Sequence, residues 1–166
     1  MIDRPPELAS PSASTDEVVH HAIDTLAIEP TAKMLILQPT SPFRDRSLLS
    51  ACTASVEDNP DALTLSVVRA AKVASWALCL EHDGTLADVP TSCDPVSPSG
   101  AVYAFGCGAF KTHGALGLMR KVGVLSHPIH SCDIDEDYEF VMAAALAEAG
   151  LGDDVIDVDP NTTSRR

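Results

Sequence analysis

Met34-Leu35-Ile36-Leu37-Gln38-Pro39-Thr40-Ser41-Pro42-Phe43-Arg44 is the stretch on which the reading of the fold turns. Four apolar residues run without a break and stop at Gln38-Pro39, the pattern of a short strand buried on both faces of a parallel sheet. In open α/β sheets ligands bind beyond the carboxyl ends of strands. The loop Gln38 to Arg44 is therefore the first place to look for chemistry. The Gln38 amide can both donate and accept there, Pro39 and Pro42 stiffen the turn, and Thr40, Ser41 and Arg44 suit hydroxyl groups or an anion. A proline-stiffened turn with a surface arginine is the plainer alternative.

The flanking sequence supports an α/β alternation. Ser14-Thr15-Asp16-Glu17 has capping-box spacing, and Val19, Ala22, Ile23 and Leu26 then follow a 3.6-residue period, predicting a helix that ends near Pro30. From about Asp45 to Val56, the stripe Leu48, Leu49, Cys52 and Val56 predicts a second helix, and Ala62 to Val68 a strand. Residues 70–98 break the rhythm with Trp76, the turn pair Asp83-Gly84 and a Pro/Ser/Asp-rich run, which fits a hairpin excursion. Ala101 to Phe105 reads as strand, 109–121 as helix and Val122 to Ser126 as strand. A last helix is expected from Glu136 to Ala149. Asp135 is its candidate N-cap, Tyr138, Val141, Met142, Ala145 and Leu146 its buried face, and Gly150 its stop. The order predicts a mainly parallel sheet.

A second chemical candidate is Cys132-Asp133-Ile134-Asp135. Carboxylates at i and i+2 of an extended segment point to one side and repel unless a cation lies between them. Mg²⁺ on a phosphate-handling site takes one or two such carboxylates, with water and phosphate completing its shell. Helix capping by Asp135, with Asp133 solvated, is the competing explanation. His127 and His130 raise a weaker zinc reading, and Gly106 to Thr112 lacks the spacing of a phosphate loop. His20 and His21 lie on the first predicted helix, one of them facing the core.

Composition excludes several classes. The 166 residues hold 24 acidic against 11 basic side chains, a formal charge of -13. Duplex DNA and anionic membranes need a basic face, so neither nucleic acid nor membrane is an expected partner. The length suits a single domain with a substantial core. No apolar run approaches the roughly 20 residues of a membrane span, and MIDRPPELAS has no signal-type segment, so a cytoplasmic location is expected. The five cysteines are odd in number and widely spaced, which suggests reduced, structural thiols.

In order along the chain, RPPELAS (Arg4 to Ser10), QPTSPFR (Gln38 to Arg44), SGAVYAF (Ser99 to Phe105) and LSHPIHSCDIDEDYEF (Leu125 to Phe140) resemble the CMP-sialic acid synthetases, or N-acylneuraminate cytidylyltransferases. The resemblance implies a Rossmann-like nucleotidyltransferase fold, of the nucleotide-diphospho-sugar transferase type, and a transferase reaction in which CTP and a sialic acid-type sugar give CMP-sugar and pyrophosphate. It places Asp133 and Asp135 on the family's catalytic, Mg²⁺-binding aspartates. Gln38 falls on a residue that contacts the sugar, with Thr40, Ser41 and Arg44 beside it in the substrate-binding loop. It makes 70–98 a dimerisation excursion, and hence implies a homodimer.

The family's opening PARGGSKGxxxKN motif, which binds CTP, has no counterpart here. Ser97-Pro98-Ser99-Gly100 stands where the family usually has Arg-Pro-Asn-Gly, and Pro11 where it has Asp. The expectation is thus an N-terminally truncated cytidylyltransferase domain over 1–152, a polar tail over 153–166, and no turnover of CTP by this chain unless the basic segment is restored. The alternative is a non-catalytic sugar-binding or dimerisation partner of a complete paralogue.

Overall fold

The computed structural model describes residues 2–10, 12–69, 78–80, 86–88 and 96–151. The elements are α1 (Thr15–Thr25), β1 (Lys33–Ile36), α2 (Arg46–Asp58), β2 (Ala62–Arg69), β3 (Leu78–Leu80), β4 (Leu86–Asp88), β5 (Val96–Gly106), α3 (Cys107–His113), β6 (Arg120–Leu125) and α4 (Asp137–Glu148). Short 3-10 turns cover Pro6–Ala9, Leu116–Leu118 and Pro128–Ser131. One sheet has the order β1-β5-β2-β6, and β3 and β4 form a separate two-stranded antiparallel ribbon. That ribbon falls inside the excursion predicted over 70–98, whose last three residues, 96–98, instead begin β5; its other residues lie outside the described ones, as does the tail.

One expectation, the buried position of β1 in a parallel sheet, is corrected, and the expected mainly parallel sheet contains an antiparallel pair. β1 is an edge strand among the described residues and only half-buried, whereas β2, between β5 and β6, is buried from Ala62 to Val68. β1 also runs antiparallel to β5, in the register Lys33↔Gly106 to Ile36↔Tyr103, so the sheet is not uniformly parallel. An apolar run cannot report which strands flank it. That information lies in residues far away in sequence.

The chain divides into two compact units. The first comprises Met1–Leu37, Leu49–Leu65 and Val102–Val124. Its α1 begins with the expected capping box, Ser14 Oγ accepting from Glu17 N while the Glu17 carboxylate accepts from Ser14 N. Val19 and Ile23 are buried as predicted, but Leu26 is exposed. Phe105 and Phe110 are fully buried with ring centroids 5.3 Å apart, and the His20 ring lies 4.5 Å from Phe110. The helix expected over 109–121 is only α3, because Gly114 adopts φ 80 and ends it. A left-handed residue donates its N–H back into the last turn and turns the chain away.

The second unit comprises Gln38–Leu48, Ser66–Ala101 and Leu125–Arg166. Phe43, Leu48, Val67 and Val68 are buried in it. α2 starts at Arg46 because Asp45 Oδ1 accepts from Leu48 N at 2.7 Å, an N-cap arrangement. α4 starts later than expected: Glu136, not Asp135, is its N-cap, in a capping box with Glu139. Its predicted buried face is wrong as well. Tyr138, Val141 and Met142 are exposed, and Ala143 is the helix residue that is buried.

Truncation of a fully buried aromatic leaves a cavity and costs about 3–5 kcal/mol. Phe110→Ala should therefore lower stability by about that amount in urea titrations, while Leu118→Ala, at an exposed position, should change it by less than about 0.5 kcal/mol.

Candidate functional site

The Gln38–Asp45 loop and the segment from His127 to Asp135 are joined backbone to backbone. Ile134 N donates to Thr40 O at 2.9 Å. A one-turn bond from Ser41 N to Gln38 O, 3.1 Å, closes the start of the loop. Arg44 Nη1 donates to Gln38 O at 2.8 Å and to Ala101 O at 3.4 Å, which ties the loop to β5. Arg44, read from sequence as an anion binder, thus spends one guanidinium nitrogen on structure.

Side chains then converge on Gly100. Its φ of +80 is open to glycine but strained for other residues. A methyl group built there would lie 3.0 Å from Ser41 Oγ, 3.5 Å from Asp133 Oδ2 and 3.7 Å from Gln38 Oε1. Three oxygens from two sequence-distant loops therefore share one small space. Ser41 is completely buried and donates to Asp133 Oδ1 at 3.4 Å. Beside this space the Ser99 hydroxyl, also buried, pairs with Ser66 Oγ at 2.6 Å.

Of the residues singled out in the sequence, Gln38, Ser41 and Asp133 come together. Thr40 contributes its backbone carbonyl. Asp135 is exposed, and its backbone N–H donates to Glu139 Oε2 at 2.8 Å. Among the described residues, no group of three or more His, Cys, Asp or Glu side chains is placed to hold a metal ion. The zinc reading of His127 and His130 is therefore set aside. Mg²⁺ is less demanding, since one or two carboxylates suffice when water and phosphate complete the octahedron. Asp133 Oδ2 has no hydrogen-bond partner among the described residues, and Gln38 Oε1 and Ser41 Oγ are hard oxygen donors near it. This donor set fits Mg²⁺.

A feature that the sequence reading missed lies at the base of the loops. His130 is buried, its Nε2 is 3.3 Å from Asp45 Oδ2 without the alignment of a hydrogen bond, and its Nδ1 has no partner among the described residues. The ring of His127 meets it edge-on at 6.3 Å. Burial pushes the His130 pKa below the usual histidine range, against the opposing pull of Asp45. Burial raises the Asp45 pKa, but the hydrogen bonds from Leu48 N and Ser47 and the nearby His130 outweigh it, so the carboxyl is held below its usual value. The three-residue spacing of the histidines drew attention to a metal, whereas the partner of His130 is 85 residues upstream in the chain, the difference between 130 and 45. Cys52 and Cys107 are buried and Cys132 is half-buried, and burial lifts Cys52 to about 11.

No protein-family model matches this chain, and no curated protein matches it by sequence. Among solved structures it is similar to a 4-diphosphocytidyl-2C-methyl-D-erythritol synthase from Anaerococcus prevotii, with a TM-score of 0.64 over 82% of this chain and 68% of that one, at 10% identity. The chain has a nucleotidyltransferase-like α/β fold. No helix among the described residues is long and apolar enough to cross a membrane.

Gly100 and Gly114 share φ 80, but a methyl group at Gly114 would meet nothing within 4 Å. Gly114→Ala should therefore cost only the left-handed strain, about 1–2 kcal/mol. Gly100→Ala should cost measurably more in the same urea titration. Equal losses would show that the Ser41 contact yields freely.

His130 also predicts a pH dependence. Its folded pKa lies below the unfolded value of about 6.5, so the unfolded chain binds the proton more readily and stability falls as the pH drops below that value. Asp45, with a folded pKa lowered from the ordinary carboxylate value, adds a further loss at more acidic pH. The urea midpoint should fall between about pH 7.5 and pH 5.5, less steeply in His130→Gln. Identical slopes in the two proteins would assign that loss to other groups.

Proposed function

We propose that this chain carries the sugar-side portion of a cytidylyltransferase that acts on sialic acid-type sugars. The observation that carries the reading is the convergence of Gln38 Oε1, Ser41 Oγ and Asp133 Oδ2 on Gly100. Support comes also from the four ordered sequence blocks and from a fold shared with a 4-diphosphocytidyl-2C-methyl-D-erythritol synthase. The likeness to that structure bears on the fold alone, so the substrate rests on the blocks and the site.

In the reaction, the anomeric hydroxyl of the sugar acid forms a bond to the α-phosphorus of CTP, and the bond from that phosphorus to the departing pyrophosphate breaks. The Gln38 amide is suited to orient the sugar through paired donor and acceptor contacts, and the buried Ser41 keeps the Asp133 carboxylate in place. Arg44, held by the carbonyls of Gln38 and Ala101, brings positive charge toward an acidic substrate. Asp133, within the Gly100 cluster, would hold Mg²⁺, with the exposed Asp135 two residues on as a second carboxylate, and the ion would neutralise charge on the phosphates. The β3–β4 ribbon is the proposed dimer contact.

A triphosphate carries about four negative charges and is held in enzymes by basic side chains and backbone N–H groups. The 166 residues have a formal charge of -13 and contain no basic glycine-rich loop. Sugar binding without turnover is the activity expected of this chain by itself. Titration calorimetry with N-acetylneuraminate should therefore register binding that Gln38→Ala weakens, whereas mass spectrometry after incubation with CTP, Mg²⁺ and the sugar should detect no CMP-sugar. Product formation would overturn the inactive reading, and the absence of sugar binding would overturn the substrate assignment.

A further inference from the structure

α4 buries Ala143 and leaves its larger apolar side chains exposed, including Phe140, 64% exposed at the mouth of a groove. Its residues 140, 143, 144 and 147 form one stripe, and Phe140, Ala143, Ala144 and Ala147 line an open groove of about 350 Å³ with Phe43 and Ile134. Three of those four helix residues are alanine. At 3.6 residues per turn, Tyr138, Val141, Met142 and Ala145 form a second stripe on the opposite side. Tyr138 is 63% exposed, Val141 67% and Met142 55%. A helix apolar on both sides ordinarily has both sides covered, and a contiguous exposed apolar face marks an interaction surface.

The flanks of that face decide what can cover it. On the same helical spacing, Asp137 and Glu148 border the exposed stripe on one side and Glu139 on the other, and α4 contains no Lys or Arg. An anionic lipid surface calls for basic flanks, so a membrane is a poor occupant. A second copy docked antiparallel would set Asp137 of one helix toward Glu148 of the other, and a parallel pair would also bring acid against acid. An apolar stripe bordered by basic residues is complementary in both respects, as in helix-to-helix recognition where flanking charges choose the partner.

We propose that the Tyr138–Val141–Met142–Ala145 face of α4 is a docking surface for an amphipathic helical segment of another protein, with an apolar stripe flanked by lysine or arginine. The surface is separate from the Gly100 cluster, and the proposal does not depend on the cytidylyltransferase reading.

The probe is a synthetic fluorescein-labelled Leu/Lys amphipathic peptide of about five helical turns, compared with a Leu/Glu peptide of the same pattern, each titrated with the full 166-residue chain and followed by anisotropy. The Leu/Lys peptide should bind saturably at one site. Val141→Asp and Met142→Asp, at exposed positions where the new charge remains solvated, should each weaken it by about tenfold or more. Reversing the flank with Asp137→Lys and Glu148→Lys should transfer preference to the Leu/Glu peptide. The same charge change at exposed acids on other segments, Glu29→Lys and Asp58→Lys, should alter affinity by no more than about twofold. Absence of binding, or an equal effect of the two charge reversals, would overturn the proposal by showing no docking or only bulk attraction to an acidic protein. Sedimentation that found a dimer of this chain dissociated by Val141→Asp would also overturn it, in favour of a second copy as occupant.

Discussion

The hydrogen bond from Ile134 N to Thr40 O, 2.9 Å long, joins two loops separated by more than ninety residues, and the candidate site depends on it. A single backbone hydrogen bond contributes only about 0.5–1.5 kcal/mol net. Its importance here is positional. With Thr40 and Ile134 held together, the side chains one residue away, Ser41 and Asp133, come within reach of each other at 3.4 Å. Gly100 then supplies the space, because any larger residue would place an atom against the Ser41 hydroxyl. Arg44 and the His130–Asp45 pair brace the same two loops from other directions. Rigid support of this kind is what a binding site needs when its groups must be within a fraction of an ångström of their working positions.

Charge shapes both proposals. In the proposed function, an acidic chain offers hydrogen-bonding groups around Gly100 but little with which to attract a triphosphate. The same acidity, gathered along the flanks of α4, selects the kind of surface that can lie against its exposed apolar stripe. In each case hydrophobic or hydrogen-bonding geometry defines a place, and the sign of the surrounding charge discriminates among occupants.

Several local features could be read directly from neighbouring residues. Ser14 and Glu17 announced the first helix and do form its capping box. Leu48, Cys52 and Val56 marked the inner face of α2 and are buried. The expected hairpin contains an antiparallel pair of short strands. Errors arose where two readings were locally equivalent. α4 has apolar residues on opposite sides, and the helical period points to Tyr138, Val141, Met142, Ala145 and Leu146 as the inner face, although Phe140, Ala143, Ala144 and Ala147 share the same period. Yet Ala143 is the residue of α4 that is buried, beside an open groove lined by Phe43 and Ile134. Likewise Met34 to Leu37 is apolar enough for a central strand, but β1 occupies an edge among the described residues.

The sequence by itself determined the α/β alternation, the acidic charge and the identity of Gln38, Ser41 and Asp133 as residues to watch. These follow from periodicity, composition and residue chemistry, which are properties of short stretches. Only the tertiary structure decided that those three side chains meet at Gly100, that His130 is set against Asp45, that β1 pairs antiparallel with β5, and that Ala143 is the residue α4 buries. Each of these is a choice of partner between segments tens of residues apart. It is set by which surfaces fit together and which polar groups can be satisfied once they do, and no local pattern records it.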